Sequence, residues 1–232
     1  MPMLIAAALV FLAIHLVVSG TRVRDAIIAA IGEGPYLGLF SLASLVGLAW
    51  LAVSYNGAEA GPGNRVLYDL GIGVRHAAIP VIALAFFLGV QGLFVPNPTS
   101  VRGDHLAAND VAVKGVLRIT RHPFLWGVVI WSAFHITANG DLASVIFFGT
   151  FFLLALFGTL SIDAKRSRKM GAAWNAFAAK TSNLPFAAIA SGRTQLRIGE
   201  LFGWRFWAAA GIFVVMLFAH ARLFGASPFP TV

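Results

Sequence analysis

The feature of this sequence that most constrains its fold is a series of long apolar runs separated by polar segments. The six runs lie at residues 3–19, 36–55, 71–95, 124–138, 142–160 and 204–224. A helix needs about 20 apolar residues to cross the hydrocarbon core of a bilayer. With 59% hydrophobic and 11% charged residues, the composition is typical of a polytopic membrane protein. The sequence therefore predicts an all-α, single integral membrane domain with six transmembrane helices in a lipid bilayer.

The basic residues lie mainly between the apolar runs and predict an orientation. If all six runs cross the membrane, thirteen Lys and Arg residues fall on one side, and Arg65 and Arg222 on the other. Basic loops are retained in the cytoplasm, so we expect a multi-pass protein of a bacterial inner membrane with both termini periplasmic. The net charge of +8 is then explained by anionic headgroups, and nucleic acid is not an expected partner.

The longest polar region, 161–203, predicts a cytoplasmic amphipathic helix lying on the membrane surface. Its apolar residues recur at helical spacing behind a basic cluster. The cluster is Lys165, Arg166, Arg168 and Lys169, and the apolar residues are Met170, Ala173, Trp174 and Phe177.

The absence of cysteine restricts the chemistry of any site. Disulfides, thiolate metal ligands and cysteine nucleophiles are excluded, which leaves six histidines and a few carboxylates. Three histidines, His15, His135 and His220, are predicted to lie within the bilayer, whereas His76 lies near the start of the third run. One neighbouring hydroxyl or carbonyl satisfies a neutral imidazole, so each of them taken singly also fits a packing role. His105, beside Asp104 in a polar loop, is expected to be solvated.

The fourth apolar run carries a distinctive helical face. Gly127, Trp131, His135 and Asn139 are spaced by four residues and therefore line one side of the helix. A porphyrin fits this pattern, with the glycine leaving room for a flat ring and His135 as axial ligand. A small-residue face that packs against another helix fits it equally well. The pattern alone leaves both interpretations open.

Directly before this helix lies a cationic turn formed by Arg118, Arg121 and His122. One interpretation is a pocket for a phosphate or carboxylate. The other is anchoring to lipid headgroups. No Ser/His/Asp order, carboxylate pair or Gly-rich phosphate loop stands out elsewhere in the sequence.

Several segments together resemble the NnrU family, membrane proteins named for an association with nitrite and nitric oxide reduction. The resemblance covers nearly the whole chain. The segments are AIHLVVSGTRVR, RITRHPFLWGVVIWSAFHITANGD, DAKRSRKMGAAWNAF and TSNLPFAAIASGR. The resemblance implies a link to denitrification, either through redox chemistry of the protein itself or as a non-catalytic assembly or haem-handling partner of respiratory proteins.

The same segments resemble plant zeta-carotene isomerases. That resemblance implies haem b, with His15 and His135 as axial ligands of the iron, and redox-dependent isomerisation of a hydrophobic small molecule such as a carotenoid. His76 and His220 are reserve ligands, because the six-helix topology places His15 and His135 at different depths. Ser132 stands where the isomerase motif carries a cysteine, so thiolate-linked redox switching is not expected.

A shorter resemblance involves isoprenylcysteine methyltransferases and sterol reductases. It rests on the Arg-His-Pro turn and on the later basic helix ending near Pro185. It implies a membrane methyltransferase or reductase that binds S-adenosylmethionine or a nicotinamide cofactor at Arg121 and His122. This is the alternative to a haem protein.

Overall fold

The computed structural model describes residues 1–100, 103, 106 and 113–229. His105 and Asp104 lie outside the described residues. In chain order the described helices are α1 (Pro2–Leu12), α2 (Arg22–Ile31), α3 (Glu33–Glu59), α4 (Ile72–His76), α5 (Ala78–Phe94), α6 (Val116–Ile119), α7 (Pro123–Asn139), α8 (Leu142–Met170), α9 (Ala172–Lys180), α10 (Ala187–Ala190) and α11 (Trp204–Phe224). The predicted all-α fold is confirmed for this part of the chain.

The chain forms two compact units, which are described separately. The first unit consists of Met1–Gly71 and Ser132–Ser161, and the second of Ile72–Trp131 and Ile162–Val232. The long helices α7 and α8 each contribute residues to both units.

The first unit begins with a helix that breaks shortly after its histidine. α1 continues as a π-helical segment, Ala13–Val18, and α2 then leaves at 76°. Gly20 lies in the break, where a Cβ would come within 2.1 Å of the Leu16 carbonyl oxygen. Thr21 begins α2, because its hydroxyl accepts a hydrogen bond from the Val23 N–H and donates one to the Val17 carbonyl. The run predicted at 3–19 is thus the first arm of a bent helix.

The core of the first unit is formed where α1 packs against α3 and the start of α8. A Cβ on Gly47 would lie only 3.1 Å from the Phe11 ring, so this glycine lets α3 approach α1 closely. The fully packed side chains are Leu4, Ala7, Ala8, Phe11, Leu51, Ala58 and Ala143.

The connection between α7 and α8 is a tight turn at Gly140 and Asp141. α7 begins at Pro123, and Gly140 ends it with a φ of +68°. A Cβ there would lie 2.0 Å from the Tyr68 carbonyl oxygen, so a larger residue does not fit. The His135 ring stacks on Phe148 across this turn, and the two helices therefore run antiparallel.

In the second unit, α5 packs against α11, and two further clusters surround α6. One cluster contains Leu88, Val116, Ile119 and Leu201, and the other contains Val113, Leu117, Trp174 and Phe177. The basic residues 165–169 lie on the last turns of α8, whereas Trp174 and Phe177 are buried from the separate helix α9. The prediction of one amphipathic surface helix is therefore wrong, because the apolar side chains at 174 and 177 face protein.

The prediction of six transmembrane helices is also wrong. Among the described residues, α3, α8 and α11 are long and apolar enough to cross a membrane, and the bent pair at the N-terminus raises the number to four if it is one span. α5 and α7 have 17 residues each, about 25 Å of helix against a hydrocarbon core of about 30 Å. The run at 71–95 is divided at Ala77, since the ring of Pro80 clashes with the carbonyl four residues earlier.

The span count still supports a multi-pass membrane protein. Only 6% to 22% of the residues in the windows of α3, α8 and α11 are buried inside the protein, as expected for helices that contact lipid. The predicted orientation depended on six alternating spans, so periplasmic termini stay a prediction.

Candidate functional site

His15 occupies the π-helical segment of the first unit. Its Nδ1 lies 2.8 Å from the Phe11 carbonyl oxygen. A carbonyl oxygen only accepts, so Nδ1 carries the proton and the lone pair of the neutral ring is on Nε2. That nitrogen faces the Ser44 hydroxyl at 3.3 Å. Single π-turns inside α-helices occur frequently at functional sites, and here the π-turn carries the histidine.

Two phenylalanine rings enclose the His15 imidazole. The Phe11 centroid is 4.4 Å away in a tilted arrangement, and the Phe40 ring meets the imidazole edge-on at 5.2 Å. The imidazole is therefore held in an apolar, aromatic environment.

His135 belongs to the same unit and contacts the same aromatic region. Its ring stacks on Phe148 at a centroid distance of 4.6 Å. Phe148 meets Phe147 at 5.1 Å, Phe147 meets Phe151 at 5.2 Å, and Phe151 meets Phe11 at 6.0 Å. The structure places the two predicted iron ligands, His15 and His135, at the two ends of a row of ring contacts formed by Phe11, Phe151, Phe147 and Phe148.

The other residues predicted on the His135 face divide between the units. Gly127 crosses Gly89 of α5 so closely that a Cβ would lie 2.8 Å from the Gly89 Cα. This is the helix-packing role that the sequence left open beside the haem role. Trp131 lines a shallow apolar groove in the second unit, and Asn139 is the last residue of α7 in the first unit. Their assignment to a haem stays a prediction.

The reserve ligands, His76 and His220, belong to the second unit, where His76 is exposed and His220 is half-buried. The Nδ1 of His76 lies 2.9 Å from the Ile72 carbonyl oxygen, and that of His220 lies 2.8 Å from the Ala226 carbonyl oxygen. Neither has an aromatic enclosure like that of His15, although His220 contacts the Phe224 ring.

In the second unit, the cationic turn is engaged in internal ion pairs. The Nε of Arg121 donates to both carboxylate oxygens of Asp163 at 2.9 and 3.0 Å, and His122 donates its Nε2–H to the same carboxylate at 2.7 Å. His122 is buried, and burial lowers its pKa despite the opposing effect of the carboxylate. The Arg121 guanidinium also lies over the Trp174 ring, 5.6 Å from its centroid.

Arg118 forms a second bidentate pair, with Glu200. Its Nε and Nη2 atoms donate to the two carboxylate oxygens at 2.8 and 3.1 Å, and the Gly115 N–H donates to one of them at 2.9 Å. The Arg118 hydrogen bonds lower the pKa of Glu200 to about 2. The predicted anion pocket therefore consists of cations that already bind carboxylates of the protein.

The partners Asp163 and Glu200 were not identified as such from the sequence. Each lies more than 40 residues from its arginine, and no local spacing indicates the pairing.

The side chains that could act as metal ligands also indicate which kind of metal group this unit could bind. Among the described residues, no three His, Asp or Glu side chains are grouped so that they could hold a bare metal ion. Two imidazoles bordering an aromatic cluster fit a metal whose other donors come from a flat organic ring. The first unit therefore contains the type of donor, a neutral imidazole, that a haem iron takes as a ligand.

These features define an all-α, multi-pass membrane protein in which an imidazole with an oriented lone pair is enclosed by aromatic rings. The chain belongs to the NnrU family, whose sequence model, described as "NnrU protein", matches residues 3–228.

Two curated relatives have the same description. The 15-cis-zeta-carotene isomerase, chloroplastic, of Arabidopsis thaliana is 29% identical over 230 residues, which cover 94% of this chain and 59% of the relative. The protein of that name from Zea mays is 30% identical over 171 residues, covering 72% of this chain and 45% of the relative. The chain thus spans about half the length of these relatives. No solved structure matches it significantly.

Proposed function

We propose that this protein is a membrane haem b protein that isomerises a double bond of an apolar polyene. The observation that carries the proposal is the hydrogen bonding of His15. Its Nδ1–H is donated to the Phe11 carbonyl, so the lone pair of Nε2 is available to a metal. Histidines that ligate metals usually donate their other N–H to a carbonyl or carboxylate in this way.

Ser44 does not prevent this role. Its hydroxyl lies 3.3 Å from Nε2, a long hydrogen bond for a hydroxyl donor. A serine side chain reaches other staggered rotamers without backbone movement. We propose that Ser44 holds the imidazole in place until the iron replaces it as the partner of Nε2.

His135 is the proposed second ligand. It lies in the same unit as His15 and stacks on Phe148 at the other end of the phenylalanine cluster. Phenylalanine rings offer a porphyrin the flat apolar contacts that it prefers. In a chain without cysteine, neutral imidazole is the ordinary axial ligand of haem b.

The surroundings of His15 suit an isomerisation better than a hydrolysis or a transfer. Rotation about a carbon–carbon double bond adds no water and leaves the substrate with the same atoms. It therefore needs no general acid or base. The rings around His15 and His135 exclude water and contact an apolar chain, while a bound haem would supply an iron whose ligand affinity depends on its oxidation state.

The names of the relatives suggest the substrate class. Both are 15-cis-zeta-carotene isomerases, and we propose a carotenoid-like polyene dissolved in the bilayer as the substrate. This assignment is preferred over nitrogen-oxide reduction, which is supported by the family name alone. The methyltransferase or reductase alternative is less favoured, because Arg121 and His122 already bind Asp163.

An absorption spectrum of the protein purified in detergent tests the haem proposal. With adequate haem supply, we expect a Soret band in the wild-type protein. His15→Ala and His135→Ala should weaken or shift it, because each removes an axial ligand. His220→Ala is the matched control and should leave the band unchanged. A wild-type protein without a Soret band would refute haem binding.

Turnover distinguishes an enzyme from an accessory protein. The purified protein, loaded with haem and reduced, is incubated with a 15-cis polyene in micelles, and the isomers are separated by chromatography. We expect conversion that is lost in the His15→Ala variant. A haem-loaded protein without conversion would contradict the isomerase part of the proposal and favour a haem-handling role.

A further inference from the structure

We infer that Tyr36 and Arg24 form a subsite for a carboxylate of the bound ligand. This inference rests on the proposed function, under which the carboxylate is a propionate of haem b. Nothing in the His15 and His135 assignment specifies what binds the acidic edge of the porphyrin. The first unit contains a buried donor and a cation suited to that edge.

Tyr36 provides the buried donor. The residue is 4% exposed, and its hydroxyl oxygen is buried with no hydrogen-bond partner among the described residues. A buried hydroxyl without a partner is unfavourable. A ligand oxygen that accepts its proton would remove this cost. The ring itself is fixed by stacking on Phe40, with centroids 6.0 Å apart and planes at 18°.

Arg24 provides a cation over the ring of Tyr36. Its guanidinium carbon lies 5.5 Å from the centroid of the Tyr36 ring. The guanidinium contacts Asp25 at 3.5 Å and Glu33 at 3.4 Å, and those carboxylates are 59% and 54% exposed. Such long, solvated pairs are weak. A ligand carboxylate at the drier Tyr36 side would therefore compete well for the guanidinium.

The subsite lies on the same helix face as the partner of His15. Tyr36, Phe40 and Ser44 are spaced by four residues along α3 and so share one face. Phe40 contacts Tyr36 on one side and the His15 ring on the other. Along this face, Tyr36 offers a hydroxyl that can donate a hydrogen bond to a carboxylate, Phe40 offers an apolar ring, and Ser44 faces Nε2 of His15. Haem b presents the matching order, with propionates at one edge, an apolar ring and a central iron.

The inference is tested by comparing haem b with haem dimethyl ester, in which both carboxylates are masked. The full-length chain is purified without haem in detergent, and each compound is titrated by absorption. We expect the wild-type protein to bind haem b more tightly than the ester. Tyr36→Phe removes only the hydroxyl and should weaken haem b binding about tenfold or more, the usual effect of losing a hydrogen bond to a charged group. Its affinity for the ester should fall less, because the neutral ester carbonyl accepts a weaker hydrogen bond than a carboxylate.

Arg24→Gln is the second variant, and it tests the subsite without altering the buried Tyr36 side chain. It should lower the affinity for haem b more than the affinity for the ester, because the neutral ester accepts weaker hydrogen bonds than a carboxylate. Two matched controls should keep the wild-type ratio of the two affinities. Tyr55→Phe removes a hydroxyl of α3 that instead bonds Ser144, and Arg22→Gln removes an exposed charge from α2.

The outcomes separate this inference from the proposed function. If the wild-type protein binds neither compound, haem binding itself is refuted. If it binds both and the Tyr36 and Arg24 variants keep the wild-type ratio of affinities, the carboxylate subsite is refuted while haem binding stands. The subsite is supported if the affinity for haem b, divided by the affinity for the ester, falls in both variants and in neither control.

Discussion

Replacing Asp163 with asparagine should destabilise the second unit strongly. The carboxylate accepts hydrogen bonds from Arg121 and from His122, whose side chains are 14% and 1% exposed. Asparagine keeps the volume but has one acceptor oxygen and no charge. The Arg121 guanidinium would then be left largely buried without a counter-ion. Removing one partner of a buried pair costs about 3–5 kcal/mol.

The Asp163 side chain is 19% exposed, so water recovers part of that loss, and we expect a destabilisation of about 2–4 kcal/mol. In a chain of this size, 1 kcal/mol shifts the midpoint of thermal unfolding by about 2–4 °C. The measurement is the unfolding midpoint in detergent, followed by circular dichroism or by tryptophan fluorescence. We expect a fall of roughly 5–15 °C, obtained from the same relation.

Asp25→Asn is the matched control, because it makes the same chemical change at a carboxylate that is 59% exposed and pairs with Arg24. Exposed pairs contribute about 0–1 kcal/mol, so its midpoint should stay close to that of the wild type. If Asp163→Asn shifted the midpoint no more than this control, the Asp163 contacts would not stabilise the fold and the reasoning would be refuted.

Two further predictions concern packing and pH. Gly127→Ala should cost about 1–3 kcal/mol of stability, since the added Cβ would overlap the Gly89 backbone. Gly149→Ala is the control and should be neutral or stabilising, because no atom lies near its added Cβ. Equal midpoints of thermal unfolding for the two variants would contradict the close crossing of α5 and α7. Because Arg118 lowers the pKa of Glu200 from 4.5 to about 2, the contribution of this carboxylate is complete above pH 4.5 and is lost as the pH falls toward 2. The midpoint difference between wild type and Glu200→Gln should close over that interval, and a difference that persists at pH 2 would rule out this linkage.

Local chemistry made several parts of the fold predictable. The last helix was predicted at 204–224 and is found at Trp204–Phe224. The apolar run at 124–138 is likewise found as the helix α7, which begins at Pro123 and is ended by Gly140. In these cases the determining interactions are between residues close in sequence. The backbone preferences of proline and glycine determine where the helix begins and ends, so these boundaries can be predicted without knowing any tertiary contact.

The number of spans could not be predicted in the same way. Hydropathy reports that a helix is apolar, but an apolar helix also packs inside a protein. Trp174 and Phe177 illustrate this ambiguity, since their spacing fits a membrane surface and the structure buries them against Val113 and Leu117. The missing information is which neighbours cover a face, and those neighbours lie far away in the sequence.

The candidate site shows the same limit. The sequence identified His15 and His135 as intramembrane imidazoles, and the structure places both beside one phenylalanine cluster. Tyr36 is the first residue of the second apolar run, and nothing in the sequence indicates that its hydroxyl is buried. Whether a hydroxyl is buried without a hydrogen-bond partner depends on how a whole helix face packs against other helices. The order of residues along the chain does not show that packing.

The ion pairs also decide where an anionic ligand can bind at least cost. At Arg121, a ligand would have to displace a bidentate carboxylate from a largely buried guanidinium and leave Asp163 without its partner, which costs about 3–5 kcal/mol before any gain. At Arg24, the contacts displaced are at 3.4 and 3.5 Å, and water immediately solvates the released carboxylates. The nearby Tyr36 hydroxyl gains a partner at the same time. The cationic turn therefore has a structural role in which Arg121 is neutralised by Asp163. Arg24, whose ion pairs are weaker, is a cation that a ligand carboxylate can bind at lower cost.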